Sequence, residues 1–275
     1  MARFEGVRMG FWYHVAEAIL RPLLTLVAKR DWRGRAHLPR RGGIVVVTNH
    51  LSHLDPLTLA HYLFDSGRLP RFLGKESVFR VPVVGYIIDK CGQIRVYRES
   101  SDAGRAMQDA LAAVRAGECV VIYPEGTITR DPDLWPMSGK TGAARVALAT
   151  GCPVVPVAQW GVQEVLAPYG RRLHVFPRRT VRLQAGPPVD LDDLRGAEVD
   201  ADVLAVATER IMAAVTTELV ALRGGTPPAK RFDARAAGVP VIGNPRKAAR
   251  SRRQASGDPH GPSGEPDGRL GQVEA

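Results

Sequence analysis

Gly43-Ile44-Val45-Val46-Val47-Thr48-Asn49-His50-Leu51-Ser52-His53-Leu54-Asp55-Pro56 decides the fold class of this chain. The β-branched run from Ile44 to Thr48 follows a glycine pair and lacks polar alternation, which marks a strand buried on both faces. Asp55-Pro56 reads as a helix start, with Asp as the cap and Pro at the first helical position. A buried strand running into a helix is the repeating unit of an α/β sheet.

The alternation continues outward. Residues 71–74 read as a short strand, and 75–90 as short helices broken at Pro82 and Gly85. Strands are expected at 93–97, 118–123, 153–158, 173–176 and 180–184, and helices at 100–115, 141–149 and 200–222. The expected fold is α/β, a mixed, mostly parallel sheet flanked by helices.

Two segments stand apart. Residues 11–28 carry Phe11, Trp12, Ile19, Leu23 and Leu26, interrupted by His14, Glu17, Arg21 and Pro22. This amphipathic pattern suits a helix lying in a bilayer interface, or equally one docked on the domain's own core. It lacks the uncharged apolar length of a spanning helix, and no secretory signal is evident. From Thr226 onward Pro, Gly, Ser and charge dominate, with the basic cluster 246–253. Such composition reads as a disordered tail, either solvated or touching an anionic surface. The expected organisation is therefore an amphipathic helix at 1–29, a folded domain at 30–225 and a disordered basic tail at 226–275.

The formal net charge of +10 favours an anionic partner: nucleic acid, acidic lipid or a phosphorylated substrate. The three cysteines, Cys91, Cys119 and Cys152, match no metal or redox spacing and suit a reducing compartment.

Chemistry is expected where the strand at 44–48 ends, because ligands of open α/β sheets bind at the carboxyl ends of strands. His50 lies there, and Asp55 begins the next helix. On one helix, five residues would turn about 500° and separate the two side chains. A turn at the strand-to-helix junction is what brings them together. Imidazole accepts a proton near neutral pH, and a carboxylate on its other nitrogen fixes the tautomer. Helix capping by Asp55 and ordinary loop roles for His50 and His53 explain the same residues. Tyr123-Pro124-Glu125-Gly126-Thr127 opens at the same edge of the sheet and offers a polar loop. Glu125 there suits a substrate hydroxyl or a neighbouring cation. Arg98, ending a strand, suits bidentate phosphate binding, and Lys75 a point-charge contact. No Gly-x-Ser-x-Gly elbow, Walker A loop or Gly-x-Gly-x-x-Gly is present, and the histidines lack partners at metal spacing.

Together these pieces resemble the 1-acylglycerol-3-phosphate acyltransferase family of glycerolipid synthesis. Asn49, His50 and Asp55 match its Asn-His-x-x-x-x-Asp block. Gly92, Ile94, Val96 and Arg98 match the second block, Pro124 to Thr127 the Pro-Glu-Gly-Thr block, and Val155, Pro156 and Val157 the fourth. The Lys75-Glu76 pair and Lys140-Thr141-Gly142 are also similar to the family. The resemblance spans about residues 30–222.

It implies direct acyl transfer from acyl-CoA or acyl carrier protein to the hydroxyl of 1-acylglycerol-3-phosphate, giving phosphatidic acid. His50 would be the base and Asp55 its support. Asn49, Lys75, Arg98, Glu125, Gly126 and Thr127 would bind substrate. No cofactor, metal or nucleic acid is expected, and the implied place is the cytoplasmic face of a membrane, peripherally bound. Many members carry a polar residue after Glu-Gly-Thr; here it is Ile128, with Arg130 two positions on as the replacement cation. Another lysolipid or alcohol as acceptor, a thioester hydrolase, and a non-catalytic lipid-binding protein are the competing readings.

Overall fold

The computed structural model describes residues 9–96, 103–196, 198–234, 236–240 and 243–244. Seven strands form one sheet: β1 (Ala28–Arg33), β2 (Ile44–Thr48), β3 (Pro70–Lys75), β4 (Ile94–Val96), β5 (Cys119–Ile122), β6 (Val154–Trp160) and β7 (Arg179–Ala185). Their order is β1-β7-β6-β2-β5-β3-β4, and every neighbouring pair is parallel except β6 with β7. The mixed, mostly parallel sheet matches the expectation.

The central strands explain themselves. Every residue of β2 and β5 is buried, because helices cover both faces and neither face meets water. On one face Val45, Val47, Val120, Ile122 and Val154 pack beneath α5 (Ala103–Arg115), α6 (Gly142–Thr150) and α8 (Ala201–Arg223). The small residues Ala110, Ala143, Ala144 and Ala147 let these helices lie close to the strands. On the other face Ile44, Val46, Val121 and Val155 meet Leu59, Tyr62 and Leu63 of α2 (Asp55–Asp65). The Asp200 carboxylate caps α8 by accepting from the Val203 amide at 2.8 Å.

Several elements differ from expectation. β1 is a strand that alternation did not announce. It carries Lys29, Arg30, Asp31 and Arg33 and, among the described residues, pairs only with β7, so it needs no continuous apolar face. Residues 173–176 are not a strand but an exposed stretch joined to the body by one bridge, Leu166 to Leu173, and Phe176 is 90% exposed. Gly85 does not break a helix. It lies inside α4 (Val84–Lys90), where an added Cβ would collide with the Phe79 carbonyl of α3 (Glu76–Phe79).

The tail boundary also moves. The segment after Gly225 is irregular yet attached: the Ser138 amide donates to the Phe232 carbonyl, Ala234 is buried, and Arg231 pairs with Glu209. The basic cluster at 246–253 lies outside the described residues.

The amphipathic N-terminal segment is α1 (Phe11–Val27), which buries no residue fully. It rests on the body through its polar and aromatic side: Tyr13 Oη donates to the Pro70 carbonyl at 2.7 Å, Trp12 stands edge-on to Tyr86, and Arg21 pairs with Asp65. Among the described residues no helix is long and apolar enough to cross a membrane.

Candidate active site

The site is built where β2 and β5 end side by side. The two strands are parallel neighbours, so the loops leaving their carboxyl ends emerge together. One loop carries His50 and the other Glu125.

After Thr48 the chain turns so that His50 Nδ1 sits 2.8 Å from Asp55 Oδ2. Asp55 is fully buried, while the His50 side chain keeps 17% exposure. The same carboxylate oxygen accepts from the Leu51 amide and, at 2.8 Å, from the Ser52 amide. This corrects the capping expectation: the helix begins at Asp55 itself, and its side chain turns back onto the loop rather than onto the helix amides. Three donors on one oxygen hold the carboxylate rigidly beside the imidazole. Nδ1 being occupied, Nε2 is the ring atom left to take a proton. Tyr123 packs on the imidazole, ring centroids 4.4 Å apart, and burial holds its phenol far above the ordinary range, with Asp55 adding to the shift.

Asn49 and Glu125 spend their hydrogen bonds within the protein. Asn49 is buried; its Nδ2 donates to the Gln159 carbonyl at 3.0 Å and its Oδ1 accepts from the Gln159 amide at 2.9 Å. Glu125 is buried too, and its two oxygens accept from the His50 and Met137 amides. Both side chains replace a strand partner where the backbones diverge, and so fix the loops that carry His50. Burial pushes the Glu125 carboxyl up to about 8, against the pull of the two amides.

The other loop residues surround this centre. Gly126 has φ of +69°, a backbone conformation that favours glycine, and an added Cβ would lie 2.8 Å from Lys140 Nζ and shift that ammonium. Thr127 Oγ1 lies 3.1 Å from Tyr169 Oη, which also donates to the Ile128 carbonyl at 2.9 Å. Ile128 itself is buried, an apolar residue pointed into the core. The Arg130 guanidinium lies 4.4 Å from the centre of the Tyr169 ring and donates through Nη2 to the Gly243 carbonyl. Among the described residues its Nε and Nη1 are buried without a hydrogen-bond partner. Lys75 ends β3, exposed at the same edge of the sheet. Arg98 lies outside the described residues.

Gln159 is the participant that motif reading missed. It is wholly buried in β6 and also donates to Thr48 Oγ1 and the Asn49 carbonyl. Its only sequence signal is a lone amide in an apolar strand. Among the described residues no group of His, Cys, Asp and Glu is arranged to hold a metal ion.

Known proteins share this arrangement over part of the chain. A family model described as Acyltransferase matches residues 29–160, from β1 through the end of β6. The chain is 29% identical over 165 residues to a chloroplastic 1-acyl-sn-glycerol-3-phosphate acyltransferase, BAT2, of Brassica napus, covering 59% of this chain and 46% of that protein. It is 32% identical over 125 residues to a 1-acyl-sn-glycerol-3-phosphate acyltransferase of Borreliella burgdorferi, covering 45% and 48%. The chain thus spans about half the length of these curated relatives. The crystal structure of the 1-acyl-sn-glycerophosphate acyltransferase PlsC from Thermotoga maritima shares the fold, with a TM-score of 0.59 and 23% identity over 78% of this chain and 81% of that one. Residues 29–160 thus match the Acyltransferase family model, and the strand order and the paired loops stand on the fold of the Thermotoga maritima structure.

Proposed function

We propose that this chain transfers a fatty acyl group from acyl-CoA or acyl carrier protein to the free hydroxyl of 1-acylglycerol-3-phosphate, giving phosphatidic acid. The observation that carries the reading is the His50–Asp55 pair, 2.8 Å apart at the carboxyl edge of the sheet. The names of the relatives supply the acceptor class.

In this mechanism His50 Nε2 takes the hydroxyl proton as that oxygen attacks the thioester carbonyl. The tetrahedral oxyanion collapses, the C–S bond breaks, and the leaving thiolate takes the proton from the imidazolium. Asp55 stabilises the imidazolium. A positioned base contributes about 10²–10⁴ in rate, and positioning supplies much of the remainder. Arg130 is the residue best placed for the acceptor phosphate, since two of its donors lack acceptors.

The apolar face of α1 and the loop at 173–176 would bring the site to its lipid. Phe11, Ile19, Leu23 and Leu26 are exposed on the helix, and Phe176 stands beside it, because Arg178 donates to the Thr25 and Ala28 carbonyls. This face lies in the bilayer interface, as a peripheral contact.

The test is release of CoA from an acyl-CoA by the purified full chain. Release should depend on added lysophosphatidic acid, and His50→Ala should lower kcat at least about 10²-fold with an unchanged circular dichroism spectrum. Acceptor-independent release would point to a thioester hydrolase, and a folded His50→Ala of near-normal activity would end the model.

A further inference from the structure

A second site lies at the opposite edge of the sheet. At the amino ends of β3, β4 and β5 a cavity of about 220 Å³ is lined by Arg40, Arg68, Arg71, Lys90, Glu118 and, from α1, Tyr13. β5 and the two residues after it, six in all, separate the cavity from the Glu125 loop, on the order of 15 Å or more at strand rise.

Among the described residues the charges around this cavity do not cancel. Arg71 and Glu118 form an ion pair and neutralise one another. Gly92 makes this possible: it has φ of +67°, and an added Cβ would lie 2.2 Å from Arg71 Nη1. Arg68 is buried at 5% exposure, and its guanidinium donates to the Pro39, Gly42 and Gly117 carbonyls at 2.8, 2.7 and 3.3 Å. Carbonyls satisfy its hydrogen bonds but leave its unit charge in place. Burying a charge without an opposite charge is costly, so such an arginine is informative. Arg40 and Lys90 stand exposed at the rim, Lys90 over the Tyr86 ring. Three positive charges thus face one concave space, where low-dielectric walls concentrate their field.

Size narrows the ligand. At about 30 Å³ per water, the cavity holds roughly seven waters, below the ~300 Å³ at which pockets begin to take drug-sized molecules. A single phosphate group with a few waters fits this space. We propose that this cavity binds a phosphate-type dianion, either a small free phosphate or the headgroup of an anionic lipid. Tyr13 and Gly10 form one wall, so occupancy ties α1 to the sheet. The site is independent of the chemistry at His50.

The test uses the full chain, inorganic phosphate at constant ionic strength, and two variants, Arg40→Ala/Lys90→Ala and Arg130→Ala, each checked for an unchanged circular dichroism spectrum. Isothermal titration should show saturable phosphate binding, weakened about tenfold or more in the double variant and kept in Arg130→Ala. A second arm compares vesicles of phosphatidylcholine with vesicles that also contain phosphatidic acid. Should inorganic phosphate not bind, while the gain from phosphatidic acid is lost in the double variant, the site takes a lipid headgroup. An unchanged double variant in both arms overturns the site, as does a wild type that responds in neither. Loss confined to Arg130→Ala also overturns it and assigns the phosphate to the His50 edge.

Discussion

Glu125 carries the backbone of His50: its Oε1 accepts the His50 N–H at 3.1 Å, while Oε2 accepts from Met137 at 3.0 Å. A carboxyl buried this way has a pH signature. Its native pKa, about 8, lies above the ordinary glutamate value of 4.5, so between these values the native state holds a proton that the unfolded chain has lost. Its contribution to stability is complete below about pH 4.5 and falls as pH rises to about 8, by at most about 1.4 kcal/mol per unit. Urea unfolding across that window should show the slope in the wild type and not in Glu125→Gln. Parallel slopes would show that the two amides keep Glu125 ionised.

Asn49 and Gln159 exchange hydrogen bonds as though one more rung joined β2 to β6. Asn49→Ala leaves a buried N–H and a buried C=O of Gln159 unpaired. The expected loss is about 2–4 kcal/mol in urea unfolding. At a temperature where the variant is folded, the acceptor KM should change by less than about twofold, because the buried side chain already makes its hydrogen bonds to Gln159. A large KM effect without loss of stability would return Asn49 to the substrate.

The sheet was legible because its central strands obey one rule. Runs 44–48, 118–123 and 153–158 are apolar on both faces, and helices cover both faces. β1 escaped the same reading because an edge strand with one neighbour tolerates Lys29, Arg30, Asp31 and Arg33. Residues 173–176 misled it because His174 between Leu173 and Val175 imitates a half-buried strand, whereas Phe176 is turned out into solvent. At the site, the turn joining His50 to Asp55 was readable from spacing and helix geometry. The roles of Asn49 and Glu125 were not: a polar residue beside a reactive loop looks the same in sequence whether it faces a ligand or a neighbouring amide. Only the three-dimensional pairing with Gln159 and Met137 separates the two.

Arg130 keeps Nε and Nη1 buried without acceptors, stacked on Tyr169. Burial lowers its pKa and, separately, makes the unmet donors costly until an anion arrives. Arg130→Ala should raise the KM for lysophosphatidic acid about 10–100-fold, the worth of one or two charge-assisted hydrogen bonds, with a smaller effect on kcat. Arg130→Lys should recover only part, since an ammonium lacks the planar fork. An unchanged KM in both variants would move the phosphate elsewhere on the same edge, with exposed Lys75 the next candidate.

Ser52 tests whether transfer is direct. It lies two residues from His50, and a hydroxyl so placed invites the role of acyl-bearing nucleophile. Its geometry argues otherwise: Ser52 is wholly buried, its Oγ donates to the Leu166 carbonyl at 2.8 Å, and it accepts from the Leu54 amide at 3.2 Å. Attack on a thioester would break both bonds and require the chain around it to open. Ser52→Ala should therefore cost about 1–3 kcal/mol of stability, from the Leu166 carbonyl and Leu54 amide left unpaired, and keep kcat within about threefold. Intact-protein mass spectrometry after mixing wild type with acyl-CoA, without acceptor, should find no acyl adduct. A Ser52-linked acyl group, or a folded Ser52→Ala slowed by about 10² or more, would replace direct transfer with a two-step path in which His50 activates the serine.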